Sequence, residues 1–163
     1  MGMRLMTAGV ALAALAAACS PEEPAASSAI APGPDAYTAL QTALIEAEPG
    51  DTITLGAGTF SFTDGLSLDV DNVSITGAGA GETILSFAGQ EGAGEGLLIT
   101  SDNVTVANFT MQDTRGDGIK SKGSNGITFR DLTVEWTGGP DEDNGAYGVY
   151  PVESQNVLVD NVT

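Results

Sequence analysis

Asn103-Val104-Thr105-Val106-Ala107-Asn108-Phe109-Thr110-Met111 carries two short apolar alternations separated by a corner. Val104 and Val106 alternate with Thr105, the period-2 signature of a half-buried strand. After a corner of two residues the alternation resumes in Phe109-Thr110-Met111. The same pattern recurs as Asn72-Val73-Ser74-Ile75, Gly126-Ile127-Thr128-Phe129 with Leu132-Thr133-Val134, and Asn156-Val157-Leu158-Val159 with Val162. Val73, Val104, Ile127 and Val157 lie 31, 23 and 30 residues apart. Spacing that varies in this way leaves room for insertions where loops leave a repeating unit.

A further strand precedes each of these units, in Gly65-Leu66-Ser67-Leu68, Gly96-Leu97-Leu98-Ile99, Gly118-Ile119-Lys120-Ser121 and Gly148-Val149-Tyr150-Pro151. No helical stripe runs through 50–163. Three short strands per unit of about two dozen residues predict an all-β solenoid, a parallel β-helix in which each inward residue rests on its equivalent in the next coil. Ahead of it, Tyr37, Leu40, Leu44 and Ile45 share a helical face behind a possible Asp35 N-cap. A helix there would cover the unpaired strand edge of the first coil.

The order helix, Pro49-Gly50-Asp51, Thr52-Ile53-Thr54-Leu55, Gly58-Thr59-Phe60 resembles the N-terminal cap and first coil of right-handed parallel β-helix proteins of the pectate lyase-like superfamily. The resemblance covers about 35–163 and implies a fold rather than a chemistry, since one fold carries many activities. The last strand stops at Thr163, just after Val162. Bacterial parallel β-helix repeat proteins, which the chain resembles, continue for several more coils. The expectation is therefore a β-helix truncated at its C-terminus, with oligomerisation or an unusual terminus as the alternative.

The start of the chain reads differently. One cation, Arg4, precedes an apolar run from Ala8 to Ala18, too short to span a bilayer, and then Cys19. Leu15-Ala16-Ala17-Ala18-Cys19 resembles a bacterial lipobox. That resemblance implies a lipoprotein signal peptide over 1–18 and lipidation at Cys19, hence a membrane partner held through a lipid anchor. Ser20, which is not the aspartate of inner-membrane retention, implies outer-membrane sorting. Cys19 is the sole cysteine, so no intrachain disulfide is available. Residues 19–34, with Pro21, Pro24, Pro32 and Pro34, read as a flexible tether ahead of the domain at 35–163.

Five basic residues face 22 acidic ones, a formal charge of −17. Such a balance disfavours nucleic acid as a partner. With Arg4 removed, the remaining cations are Arg115, Lys120, Lys122 and Arg130, all within one unit. Strand parity puts Lys120 and Lys122 on the outer face, because Ile119 and Ser121 face inward. Aligning Gly96, Gly118 and Gly148 stacks Leu98, Lys120 and Tyr150 in one outward column and Thr100, Lys122 and Val152 in the next. A tyrosine beside a lysine suits a sugar, whose C–H faces meet aromatics and whose hydroxyl or carboxylate groups meet cations. The substrate-binding candidates are Arg115, Lys120, Lys122, Tyr147 and Tyr150. The competing reading has the lysines merely offsetting carboxylates such as Asp113, Asp117 and Glu153.

Glu135 to Gly145 lengthens one unit, and Asp141, Glu142, Asp143 and Asn144 supply the hard oxygens that calcium prefers. Calcium could bridge the acidic chain to an acidic sugar; a solvated loop tip is the plainer use. Trp136 either contacts ligand or packs against the insertion. Finally, Tyr147-Gly148-Val149-Tyr150-Pro151-Val152-Glu153 looks like a degraded form of the catalytic stretch of mannuronan C5-epimerases. Tyr147, Gly148, Pro151 and Glu153 match. Tyr150 stands where the aspartate would be and Val152 where the histidine would be. The chain contains no histidine, so proton abstraction would fall to Lys120, Lys122, Tyr150 or Tyr147, or, as the pectate lyase resemblance implies, to an arginine. Three functions stay open: binding of an acidic polysaccharide, a uronate lyase or epimerase, and a structural surface protein without chemistry.

Overall fold

The computed structural model describes residues 29–91 and 94–163. The signal-like segment, Cys19 and the tether up to residue 28 lie outside them. One helix, α1 (Ala36–Glu46), is followed by β1 (Thr52–Thr54), β2 (Gly58–Ser61), β3 (Leu66–Leu68), β4 (Ser74–Thr76), β5 (Thr83–Ser86), β6 (Leu97–Ile99), β7 (Thr105–Gln112), β8 (Ile119–Lys122), β9 (Thr128–Glu135), β10 (Val149–Val152) and β11 (Leu158–Val162). All pairings between these strands are parallel. One sheet takes β1, β4, β7, β9 and β11, with β2 and β5 joining along the second half of β7; the other runs β3, β6, β8, β10.

The quoted stretch is β7, and its two halves pair with different strands. Thr105 to Ala107 lie beside β4, and Thr110 to Gln112 beside β5. Between the halves the chain bends at Asn108, whose φ is 63°, and the equivalent corners in β9 and β11 fall at Asp131 (φ 51°) and Asn161 (φ 52°). Short polar side chains tolerate this left-handed backbone where β-branched ones do not. The Asn108 amide also donates to Thr76 Oγ1 at 3.0 Å, tying one corner to the preceding one. Where Gly77 to Glu82 widen the corner, the halves separate into β4 and β5.

The recurrent asparagine has the same cause. Asn72, Asn103 and Asn156 all have φ between 51° and 61°. Gly126 fills that position with φ 78°, and a Cβ there would lie 2.6 Å from Asn103 Oδ1. The glycine that opens each strand of the second sheet answers to close approach instead: a Cβ at Gly118 would fall 2.5 Å from both Gly148 O and Val134 Cγ1.

Registers place equivalent residues above one another, Ile53 on Ile75, Ile75 on Val106, Val106 on Phe129 and Phe129 on Val159. Val73, Val104 and Ile127 are fully buried, and Val157 packs partly buried against the same core. At β10 and β11 the covering thins, so that Leu158 and Val159 are 46% and 50% exposed.

At the other end α1 lies against β2 and β3. The Gln41 side-chain amide accepts from Ser67 N at 3.0 Å and donates to Ser67 O at 3.1 Å, and Tyr37 Oη donates to Gly65 O at 3.2 Å. These bonds satisfy the edge of β3 as a neighbouring strand would. Two expectations change here. Asp35 occupies the N-cap position but its side chain makes no capping bond. Ile45 is 67% exposed, because it lies about 100° around the helix from Leu44, beyond the stripe of Tyr37, Leu40 and Leu44. The packed chain also starts earlier than 35: Ile30 N donates to Thr54 O and accepts at its own carbonyl from Gly56 N, both at 2.8 Å. Residues 30 to 34 of the expected tether thus lead into the domain along β1.

Candidate functional site

The outer face of the second sheet carries Lys120, Lys122 and Tyr150. Strand register sets Leu98, Lys120 and Tyr150 side by side on β6, β8 and β10, with Ile119 and Ser121 buried beneath. Ser121 hides its hydroxyl by sharing a hydrogen bond with Ser154 at 3.0 Å. Lys120 and Lys122 therefore project from one face, as strand parity requires, and Val152 stands beside Lys122.

Lys120 is not a free cation. Its Nζ donates to Glu95 Oε1 at 2.7 Å, sits 3.7 Å from Asp117 Oδ2 and lies 5.6 Å from the centre of the Tyr150 ring. The hydrogen bond from Lys120 holds the Glu95 carboxyl below its ordinary range against the effect of burial. The same bond pushes the Lys120 ammonium up, with Asp117 and Tyr150 adding to it. A lysine held in its protonated form stabilises negative charge but is a poor acceptor of a proton.

Tyr147 and Tyr150 form the second part. Their rings stack with centroids 4.4 Å apart and planes inclined by 21°, and Tyr147 is 51% exposed. Glu95 was invisible to the sequence reading; the one available signal was its position directly before Gly96, matching Asp117 before Gly118 and Tyr147 before Gly148.

The remaining cations part company. Arg130 lies on β9 in the other sheet, where its Nε donates to Asp160 Oδ2 at 3.1 Å. Arg115 is exposed in the turn before β8, its backbone N–H held by Gln90 Oε1 at 2.9 Å. Among the described residues Lys122 has no carboxylate within ion-pair distance. The cluster in sequence is thus divided between two sheets and a turn.

The insertion after β9 is anchored at both ends. Trp136 Nε1 donates to Thr114 O at 2.7 Å and the Thr137 N–H to Asp113 Oδ1 at 2.7 Å at one end, the Gly145 N–H donates to Thr114 O at 3.4 Å at the other, and within the loop Asn144 Nδ2 donates to Gly139 O at 2.8 Å. Trp136 therefore holds the loop against the preceding unit. Asp141, Glu142 and Asp143 are all exposed, and Asp141 Oδ1 accepts from the Asp143 N–H at 3.0 Å. Among the described residues no three carboxylate, thiol or imidazole groups converge as a metal site would need.

No family model, curated protein or solved structure matches the chain.

Proposed function

We propose that the chain is an envelope-anchored, right-handed parallel β-helix that binds polysaccharide on the outer face of β8 and β10. Parallel registers repeating through successive units, with apolar residues stacked on apolar residues, support the solenoid reading. The lipobox-like segment supports the anchor at Cys19; the intact mass of the mature chain checks it, and an unmodified Cys19 would defeat it.

The observation that carries the binding reading is the stacked Tyr147 and Tyr150 pair beside the Glu95, Asp117 and Lys120 network. A sugar ring offers C–H groups to an aromatic face and hydroxyls to fixed acceptors and donors, and this face has both within one strand spacing. The network holds its polar groups in place before a ligand arrives, which lowers the cost of binding. The protonated Lys120 favours binding over abstraction of a proton from a uronate, which weighs against a lyase or epimerase at this point of the surface. Retention of the protein in gels cast with soluble polysaccharides tests the reading. Tyr147→Ala/Tyr150→Ala should weaken retention about tenfold, the equivalent of roughly 1.4 kcal/mol. A wild type retained by no polymer, or a variant retained equally, would remove the tyrosines from any such role.

A further inference from the structure

We infer that this face takes an uncharged glycan and rejects polyuronates, an inference that rests on the polysaccharide reading just given. Clustering of the cations in sequence points to an acidic polymer, yet their placement does not supply one with a positive surface. Arg130 is on the other sheet and bound to Asp160. Lys120 has spent its charge on Glu95 and lies close to Asp117 as well, so that triad is net negative.

The carboxylates are also ordered. Leu66, Leu97, Ile119 and Val149 share one register position, and the backbone just ahead of them stays paired, Leu66 N to Gly96 O, Gly96 N to Asp117 O and Gly118 N to Tyr147 O, which sets Asp64, Glu95, Asp117 and Tyr147 at one level of four successive segments. Three acids therefore lead up to the exposed tyrosine at about 4.8 Å per strand. Three places further on, the outward row is Ser67, Leu98, Lys120 and Tyr150. A chain stacked on Tyr147 and running along these rows would meet carboxylate oxygens, which accept hydrogen bonds from hydroxyls at the strength of charge-assisted bonds. A uronate in the same place would bring its own carboxylate against fixed like charges within half a Debye length, where salt screens them little. Two exposed cations remain, Arg115 in the turn before β8 and Lys122 in the next row, opposite Val152 and so near Glu153; against Asp64, Glu95, Asp117 and Glu153 they and Lys120 do not reverse the sign.

The test compares the full-length protein on a neutral β-glucan, on alginate and on a polymer of amino sugars, at low and at physiological salt. Expected is retention on the neutral glucan at least about tenfold stronger than on alginate, changing little with salt. Asp64→Asn/Asp117→Asn leaves the contact of Lys120 with Glu95 in place, and it should narrow that ratio by about tenfold through gained alginate binding. Alginate bound as well as the glucan, a ratio unmoved in a folded double variant, or tightest and salt-sensitive binding of the amino polymer would each overturn the inference. Should the double variant fail to fold, the wild-type ratio decides alone. Binding to none of the three would instead sink the polysaccharide reading itself.

Discussion

Ile127→Asp separates the strand alternation from every other way of burying this segment. Ile127 is fully buried, with Val104 beneath it and Val157 above, while its neighbour Thr128 lies half-buried on the outer face beside Thr105 and Leu158. Removing the isoleucine side chain forfeits about 2 to 3 kcal/mol of apolar burial. The new carboxyl cannot stay ionised there, and protonating a group of pKa about 3.9 at pH 7 costs roughly 4 kcal/mol. The sum of about 6 to 7 kcal/mol compares with a total stability of about 5 to 15 kcal/mol for a domain, so this variant should be unfolded or close to it. Ile127→Ala, without the charge, should cost about 2 to 5 kcal/mol and remain measurable. Thr128→Asp should cost less than about 1 kcal/mol. Urea melts followed by circular dichroism and Trp136 fluorescence compare the three. The sign can be checked by pH: the folded-state pKa of Asp at 127 is raised, so its penalty grows above the unfolded value and fades as the medium approaches pH 4. Equal midpoint losses for the 127 and 128 substitutions would refute the alternation and the stacked core built on it.

Trp136→Phe keeps the ring against the insertion but removes the 2.7 Å donor from the Thr114 carbonyl, leaving it the 3.4 Å bond from the Gly145 N–H; it should cost about 1 kcal/mol and speed proteolytic nicking between 137 and 144, and an unchanged nicking rate would exclude the anchoring role. Glu95→Gln should show how the ion pair depends on pH. The Glu95 carboxyl is lowered from 4.5 in the fold, so its stabilisation is present above that value and is lost as the pH falls through the depressed one. The Lys120 ammonium is raised from 10.5, so its share is present below that value and lost as the pH rises through the elevated one. The stability difference between wild type and variant should therefore be flat between the two limits and shrink outside them; a difference that changes around neutrality would contradict the assignment.

Much of the architecture was legible because it is local. Alternation in Val104-Thr105-Val106 says which side chains are buried before any partner is known, and Asn103, Asn108, Asn156 and Asn161 mark bends because the left-handed backbone they adopt is a property of single residues. The glycines ahead of β3, β6, β8 and β10 supplied the alignment that set Leu98, Lys120 and Tyr150 in a row, and the register agrees. Ile45 and the unbonded Asp35 side chain escaped because a helix of three turns has several plausible faces and its packing partner chooses among them. Charge was the least legible quantity. Sequence clustering put Arg130 with Lys120, but a strand that turns a corner carries neighbours in sequence onto different sheets. Glu95, 25 residues before Lys120 in the chain, lies 2.7 Å from it only because β6 and β8 pair in parallel. Alternation and backbone conformation are written residue by residue, whereas the pairing of one ion with another depends on the distance between chain segments, and only the folded stack sets that distance.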